Sequence, residues 1–163
     1  ALQVALTAPG RVASASLIAP AGLGPDINIA FIEGFIGESR SRKLRGVLQE
    51  LVVDPALISA DMVEEVLKFK RLDGAEDALR TIAEANFGGG TQKTILKDKL
   101  SGSLPPVTVI FGVEDRIIPA RHADGLPASI KVVRIEGAGH IPHMEKSSDV
   151  NQAIQDTIAK AEG

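Results

Sequence analysis

Short apolar segments alternate with helical segments along this chain, and this alternation limits the fold more than any other feature of the sequence. Residues 11–20, 107–111 and 130–135 each have the length and apolar content of a strand in a sheet. Helical patterns lie between and after them. Strands that alternate with helices favour a parallel sheet with crossover helices. The sequence therefore predicts an α/β fold with three mostly parallel strands.

The longest helical segment is predicted for residues 26–100. One apolar stripe with helical spacing is formed by Leu44, Val47, Leu48, Leu51 and Val52. Similar spacing returns in residues 62–67, after an expected N-cap at Ser59, and in residues 78–83. Gly88, Gly89 and Gly90 indicate a loop, because no lysine–serine pair follows them as a phosphate-binding loop would require. A further amphipathic helix is predicted for residues 150–161.

Composition excludes several classes of function. The chain has 163 residues, of which 44% are hydrophobic and 24% charged, as is typical of a folded globular domain. Its formal charge of −3 gives no general attraction to nucleic acid or to an anionic membrane. The absence of cysteine excludes disulfides, thiol nucleophiles and thiolate metal sites, and agrees with a cytoplasmic location. No apolar run approaches the length of a membrane span.

The first residues read as the end of a helix that Pro9 and Gly10 stop. The chain has no initial methionine and opens inside an apolar pattern. We therefore expect it to be a fragment of a longer protein.

Two loops follow the second and third predicted strands and carry the residues with the clearest chemistry. The acid loop (residues 112–119) contains Glu114 and Asp115, and the histidine loop (residues 137–145) contains His140. Sites in open α/β sheets form beyond the carboxyl ends of the strands. A carboxylate there can fix the tautomer of an imidazole and stabilise its cation during proton transfer. We predict that Asp115 and His140 form such a pair, with Glu114 as the competing acid.

The patterns G-x-x-D-x-I-x-P and G-x-G-H-x-P-x-x-E resemble the acid and histidine loops of the α/β-hydrolase superfamily. The resemblance covers the whole chain. It implies a partial hydrolase core in residues 1–25 and 101–163, with a helical cap inserted at residues 26–100, here called the cap segment. It also implies that Asp115 and His140 are the acid and the histidine of a serine–acid–histidine triad. Within the superfamily, residues 17–24 and 137–145 are similar to C-terminal domains of dihydrolipoamide acetyltransferase subunits of acetoin dehydrogenase complexes, and to carbon–carbon bond hydrolases and esterases.

The triad nucleophile has no counterpart in this sequence. No G-x-S-x-G occurs, Ser39 lies in the cap segment without the closing glycine, and Ser14 and Ser16 fall within a predicted strand. The resemblance implies that the serine and the oxyanion hole precede Ala1. We expect the chain alone to be inactive.

Other residue clusters have simpler interpretations. His143 could pair with His140 on a metal, but no supporting cysteine or carboxylate cluster accompanies them. His122 and Asp124 have the wrong spacing for the usual dihydrolipoamide acyltransferase motif. A basic cluster formed by Arg40, Arg42, Lys43 and Arg45 is most simply a solvated helix face, with a phosphate contact as the alternative.

Two classes of function follow. The first is a serine-dependent enzyme domain for acyl transfer or hydrolysis, with the cap over an apolar pocket for a small acyl substrate and no cofactor in the chemistry. The resemblance implies coenzyme A and a lipoyl group as substrates, and other subunits of a multienzyme complex as partners. The second is a non-catalytic binding or assembly domain. We also expect self-association, because the strand in residues 12–19 would present an open edge.

Overall fold

The computed structural model describes residues 1–100 and 104–163. The helices and strands, in chain order, are α1 (Leu2–Thr7), β1 (Ala15–Ile18), α2 (Ile29–Gly37), α3 (Ser41–Leu48), α4 (Ala60–Lys70), α5 (Ala75–Asn86), β2 (Phe87–Gly88), β3 (Thr91–Gln92), β4 (Val107–Gly112), β5 (Lys131–Ile135), α6 (Pro142–Glu145) and α7 (Ser147–Glu162). Short 3₁₀ turns cover Pro9–Arg11, Gln49–Leu51, Pro55–Leu57, Lys97–Lys99 and Ala120–Ala123. Residues 101–103, where the second predicted core segment begins, lie outside the described residues.

The main sheet has three parallel strands in the order β1-β4-β5. Ala15 lies opposite Val107 in the first pair, and Thr108 lies opposite Lys131 in the second. Every residue of the central strand is buried. A parallel strand that is covered on both faces has a nearly continuous apolar sequence. This is why the sequence predicts a strand at β4. The predicted α/β class is confirmed.

Side chains of β4 alternate between two cores, as the pleat of a strand requires. Val109 and Phe111 join the larger core, which extends to β1, to Leu23 and to Phe31 of α2. Ile110 joins a smaller core with residues of α7. Thr108 faces that side too, where its hydroxyl accepts a 2.7 Å hydrogen bond from Thr157.

The cap segment has a core of its own, formed by Leu44, Leu48, Val52, Ile58, Val63 and Leu67. These residues come from α3, α4 and the turns between them, as the apolar stripes predict. The Ser59 hydroxyl accepts from the amide of Met62 at the start of α4, so the predicted N-cap is confirmed.

The prediction of helix throughout residues 26–100 is wrong after Asn86, where α5 ends and no further α-helix occurs up to Leu100. Strands β2 and β3 form a small antiparallel hairpin in which Phe87 lies opposite Gln92. Its turn consists of Gly89 and Gly90, with φ of 61° and 79°. Two successive positive φ angles are those of a tight hairpin turn, which glycine adopts at little steric cost. The three glycines therefore mark a hairpin turn and not only a loop between helices.

None of the helices in residues 1–100 and 104–163 combines the length and the apolar content of a membrane span.

Candidate active site

Asp115 and His140 lie side by side beyond the carboxyl ends of β4 and β5. Asp115 Oδ2 is 2.9 Å from His140 Nδ1. The Asp115 side chain is completely buried, whereas 22% of the His140 side chain is exposed. The structure thus brings together the two residues that the sequence places on separate loops.

The backbone of the acid loop holds the Asp115 carboxylate in place. Asp115 Oδ1 accepts hydrogen bonds from the amides of Ile117 and Ile118, at 2.8 and 2.9 Å. One oxygen is therefore fixed by the loop, and the other is directed at the imidazole. Buried carboxylates are stable when their oxygens are satisfied in this way.

Glu114, the competing acid, has a different position. Its two oxygens accept from the amides of Gly137 and Ala138, at 3.3 and 3.2 Å. It connects the acid loop to the start of the histidine loop. Glu114 and Asp115 are adjacent in the chain but bind different groups.

Glycines allow the two loops to approach closely. A Cβ atom on Gly112 would lie 2.2 Å from the carbonyl oxygens of both Ala138 and Gly139. Gly137 has φ of 68°, a conformation that favours glycine. The glycines around His140 are therefore required by contacts and by backbone geometry.

The histidine loop also contacts the cap segment. The amides of His140 and Ile141 both donate to the carbonyl of Leu51, at 2.8 and 3.3 Å. Glu145 accepts from Gly139 in its own loop and from Val53 in the cap segment. Sequence reasoning assigned no role to Glu145. The only signal was its place at the end of G-x-G-H-x-P-x-x-E.

A bond to Nδ1 leaves the opposite ring nitrogen, Nε2, for exchange of a proton with a reacting group. When the carboxylate accepts from Nδ1–H, the neutral imidazole carries its lone pair on Nε2 and can act as a base. The pair therefore has the geometry of a general base with its orienting acid.

The other candidates lie apart from this pair. His143 is exposed on α6, and no cluster of three or more metal-ligating side chains occurs in residues 1–100 and 104–163. Ser16 lies in the middle of β1, and Ser39 is an exposed residue between α2 and α3. The four cations of the basic cluster are all exposed, and Lys43 lies 3.6 Å from Glu38.

His122 does not act with Asp124. It is buried, with 4% of its surface exposed, and its Nε2 lies 3.0 Å from Asp26 Oδ2. Asp124 is bound instead to Arg134. The hydrogen bond from His122 and the nearby charge of Arg121 lower the pKa of Asp26 below its usual value. This contact joins positions 96 residues apart, so no local sequence pattern predicts it.

Comparison with solved structures identifies the fold. A meta-cleavage product hydrolase from Pseudomonas fluorescens IP01 matches 98% of this chain with a TM-score of 0.80 at 16% identity, over 60% of its own length. This chain therefore has a partial α/β-hydrolase fold. The fold predicted from the two loop motifs is confirmed.

Sequence comparison finds two curated relatives with the same description. The chain is similar to the dihydrolipoyllysine-residue acetyltransferase components of the acetoin cleaving systems of Cupriavidus necator and Pseudomonas putida. Identity is 38% over 155 residues to the first and 43% over 153 residues to the second. The matches cover 95% and 94% of this chain, which spans about two fifths of each relative: 41% and 40%. No family model matches the sequence.

Proposed function

We propose that Asp115 and His140 are the acid and the general base of a serine-dependent acyl transfer catalysed by the protein that contains this sequence. The observation that carries the proposal is the 2.9 Å contact between Asp115 Oδ2 and His140 Nδ1, with Asp115 buried and fixed by two amides. The serine is proposed to come from a part of the protein outside these 163 residues, because no G-x-S-x-G occurs in them.

His140 would move the protons of the reaction. Nε2 accepts the proton of the serine hydroxyl as its oxygen attacks the acyl carbonyl, and returns that proton to the leaving group when the tetrahedral intermediate collapses. Asp115 keeps Nδ1 protonated and stabilises the imidazolium that forms in between. In related triads, an asparagine in place of the acid lowers kcat by about 10⁴-fold.

The names of the relatives support a choice of substrate. Both are acetyltransferase components of acetoin cleaving systems. We propose that the acyl group is an acetyl group held as a thioester on a dihydrolipoyl arm, and that the thiol of coenzyme A accepts it. The products are acetyl-coenzyme A and the free dihydrolipoyl thiol, so no redox step and no cofactor are needed. Other components of such a system are the proposed partners.

The test uses the natural full-length protein with acetyl-dihydrolipoamide and coenzyme A. Asp115→Asn should lower the rate of acetyl-coenzyme A formation by about 10⁴-fold, and His140→Ala should lower it further, by about 10⁶-fold. Asp73→Asn, an equal charge change at an exposed turn, is the matched control and should leave the rate unchanged. If Asp115→Asn and His140→Ala were as active as this control, the chain would be a non-catalytic assembly domain. Acetate as the main product would make the protein a hydrolase.

The 163-residue chain by itself should not hydrolyse a nitrophenyl ester above the background rate of its histidines. It contains no serine elbow, and most of the catalysis in this chemistry depends on the nucleophile and the oxyanion donors. Release of nitrophenol is followed by absorbance. Turnover that disappears in Ser14→Ala, Ser16→Ala or Ser39→Ala would identify a nucleophile within the chain.

A further inference from the structure

We propose that Glu145 is a positioning residue that couples the cap segment to His140. The catalytic part of this inference rests on the proposed function, whereas the structural part does not. Glu145 Oε2 accepts from the amide of Gly139, and Oε1 accepts from the amide of Val53, each at 2.6 Å. One carboxylate thus binds both the residue directly before His140 and a residue of the cap segment that is 92 positions from Glu145.

The contact lies beside other close contacts between the cap segment and the histidine loop. Leu51, two residues before Val53, accepts from the amide of His140 at 2.8 Å. A Cβ atom on Gly139 would lie 2.7 Å from the same Leu51 carbonyl. Ile141 packs against the cap core. The backbone of His140 is therefore held on one side by Leu51, and the preceding amide is held by Glu145.

The chemistry of the contact requires a carboxylate. Both partners of Glu145 are backbone N–H groups, so each of its oxygens must accept. A glutamine of the same shape has one oxygen and one NH₂ group, and the NH₂ group would face an amide donor. Bonds from amides to an ionised carboxylate are about twice as strong as bonds between neutral groups. Removal of the charge at constant size should therefore loosen at least one of the two segments.

Greater mobility of the Gly139 peptide should also displace the imidazole of His140. Gly139 and His140 are adjacent, and the ring is fixed at its other end by the 2.9 Å contact between Nδ1 and Asp115. Movement of the Gly139 peptide would change the direction in which His140 leaves the backbone, and with it the alignment of Nδ1 on Asp115. Displacements of about 1 Å at a catalytic group are enough to lower a rate substantially.

The first test uses hydrogen exchange and NMR on the 163-residue chain, and needs no activity. In Glu145→Gln, the amides of Gly139 and Val53 should exchange about tenfold faster or more, and the low-field Nδ1 proton of His140 should weaken or broaden. Amides of the central strand, such as Val109, should exchange at the rate of the unmodified chain. Glu136→Gln, an exposed residue just before the histidine loop, is the matched control and should change neither signal.

Two results would overturn the proposal. One is unchanged exchange at Gly139 and Val53 in Glu145→Gln. The other is faster exchange at Val109 by the same factor, because Glu145 would then stabilise the whole fold without a particular effect on His140.

The second test uses acyl transfer by the full-length protein. Glu145→Gln should lower kcat about tenfold and change KM less than about twofold, because it displaces the base without removing a substrate contact. A change in KM alone would contradict a positioning role. If the unmodified full-length protein transfers no acyl group, the proposed function fails, and hydrogen exchange still decides the role of Glu145.

Discussion

At the scale of single residues, the geometry of the site depends on which group each of three carboxylates binds. Asp115 contacts the imidazole, Glu114 binds the start of the histidine loop, and Glu145 binds its middle and the cap segment. Asp115 is buried, Glu145 is partly buried and Glu114 is exposed. Each carboxylate is satisfied mostly by backbone amides, so the loops depend on backbone positions as much as on side chains.

Gly112→Ala should disrupt the contact between the acid and histidine loops. The new Cβ would lie 2.2 Å from two backbone oxygens, which cannot rotate away as a side chain would. We expect a loss of about 1–3 kcal/mol in the free energy of unfolding, measured by denaturant titration. Gly46→Ala is the control: it lies in α3 with open space around it, and should raise stability by about 0.5–1 kcal/mol. Equal effects of the two substitutions would contradict the close approach.

Asp26 should make stability depend on pH in the acid range. Its pKa is lowered in the folded state, chiefly by the hydrogen bond from His122, so the ionised form stabilises the fold. That contribution is complete above the unfolded pKa of about 3.9 and is lost as the pH falls through the lower, folded value. Asp26→Asn should therefore be less stable than the unmodified chain near neutral pH, and the difference should shrink below about pH 4. A difference in unfolding midpoint that is constant with pH would contradict this account.

At the scale of elements, helices of the cap segment differ in what their apolar faces contact. The faces of α3 and α4 meet in the cap core. The face of α5, formed by Leu79, Ile82 and Ala83, lines an open groove with Ile36 and Phe87 instead. Ile82 is 58% exposed. A stripe in the sequence therefore predicts an amphipathic helix correctly without specifying what covers it.

Ser59→Ala should weaken the start of α4. The serine hydroxyl accepts from the amide of Met62, one of the first donors of the helix, which has no partner within the helix itself. The expected loss is about 1 kcal/mol in the free energy of unfolding. Ser129→Ala, at an exposed loop position, should change stability by less than about 0.5 kcal/mol. Equal effects of the two substitutions on the free energy of unfolding would show that the Ser59 N-cap does not stabilise α4.

At the scale of the whole molecule, the two edge strands of the main sheet differ in charge. Among the described residues, β1 and β5 each pair with β4 on one side only. Strand β5 carries Lys131 and Arg134, which form ion pairs with Asp156 and Asp124. Strand β1 has no charged residue. Charges on an edge strand discourage pairing with another chain, so β1 is the less protected edge.

The chain should therefore associate with itself through β1. Light scattering at micromolar concentration should give a mass above that of one chain. Ser16→Lys places a charge on this edge and should shift the population toward monomer. Ser148→Lys adds the same charge on α7 and should have no such effect. A monomeric mass for the unmodified chain would show that the edge is covered in solution.

The sequence by itself determined the parallel α/β arrangement and the approach of the acid loop to His140, and the resemblance of the two loop motifs favoured Asp115 over Glu114 as its partner. Burial on both faces leaves an apolar run that can be read locally, and carboxyl ends of parallel strands share one edge of the sheet. Only the tertiary structure decided the hairpin at Gly89 and Gly90 and the division of contacts among Glu114, Asp115 and Glu145. It also decided the bonds of Glu145 to Val53 and of His122 to Asp26. The division of contacts among the three carboxylates depends on side-chain direction, and the bonds of Glu145 to Val53 and of His122 to Asp26 join residues more than 90 positions apart. Local periodicity carries no information about either. The hairpin is local, but three glycines are equally compatible with a loop between helices.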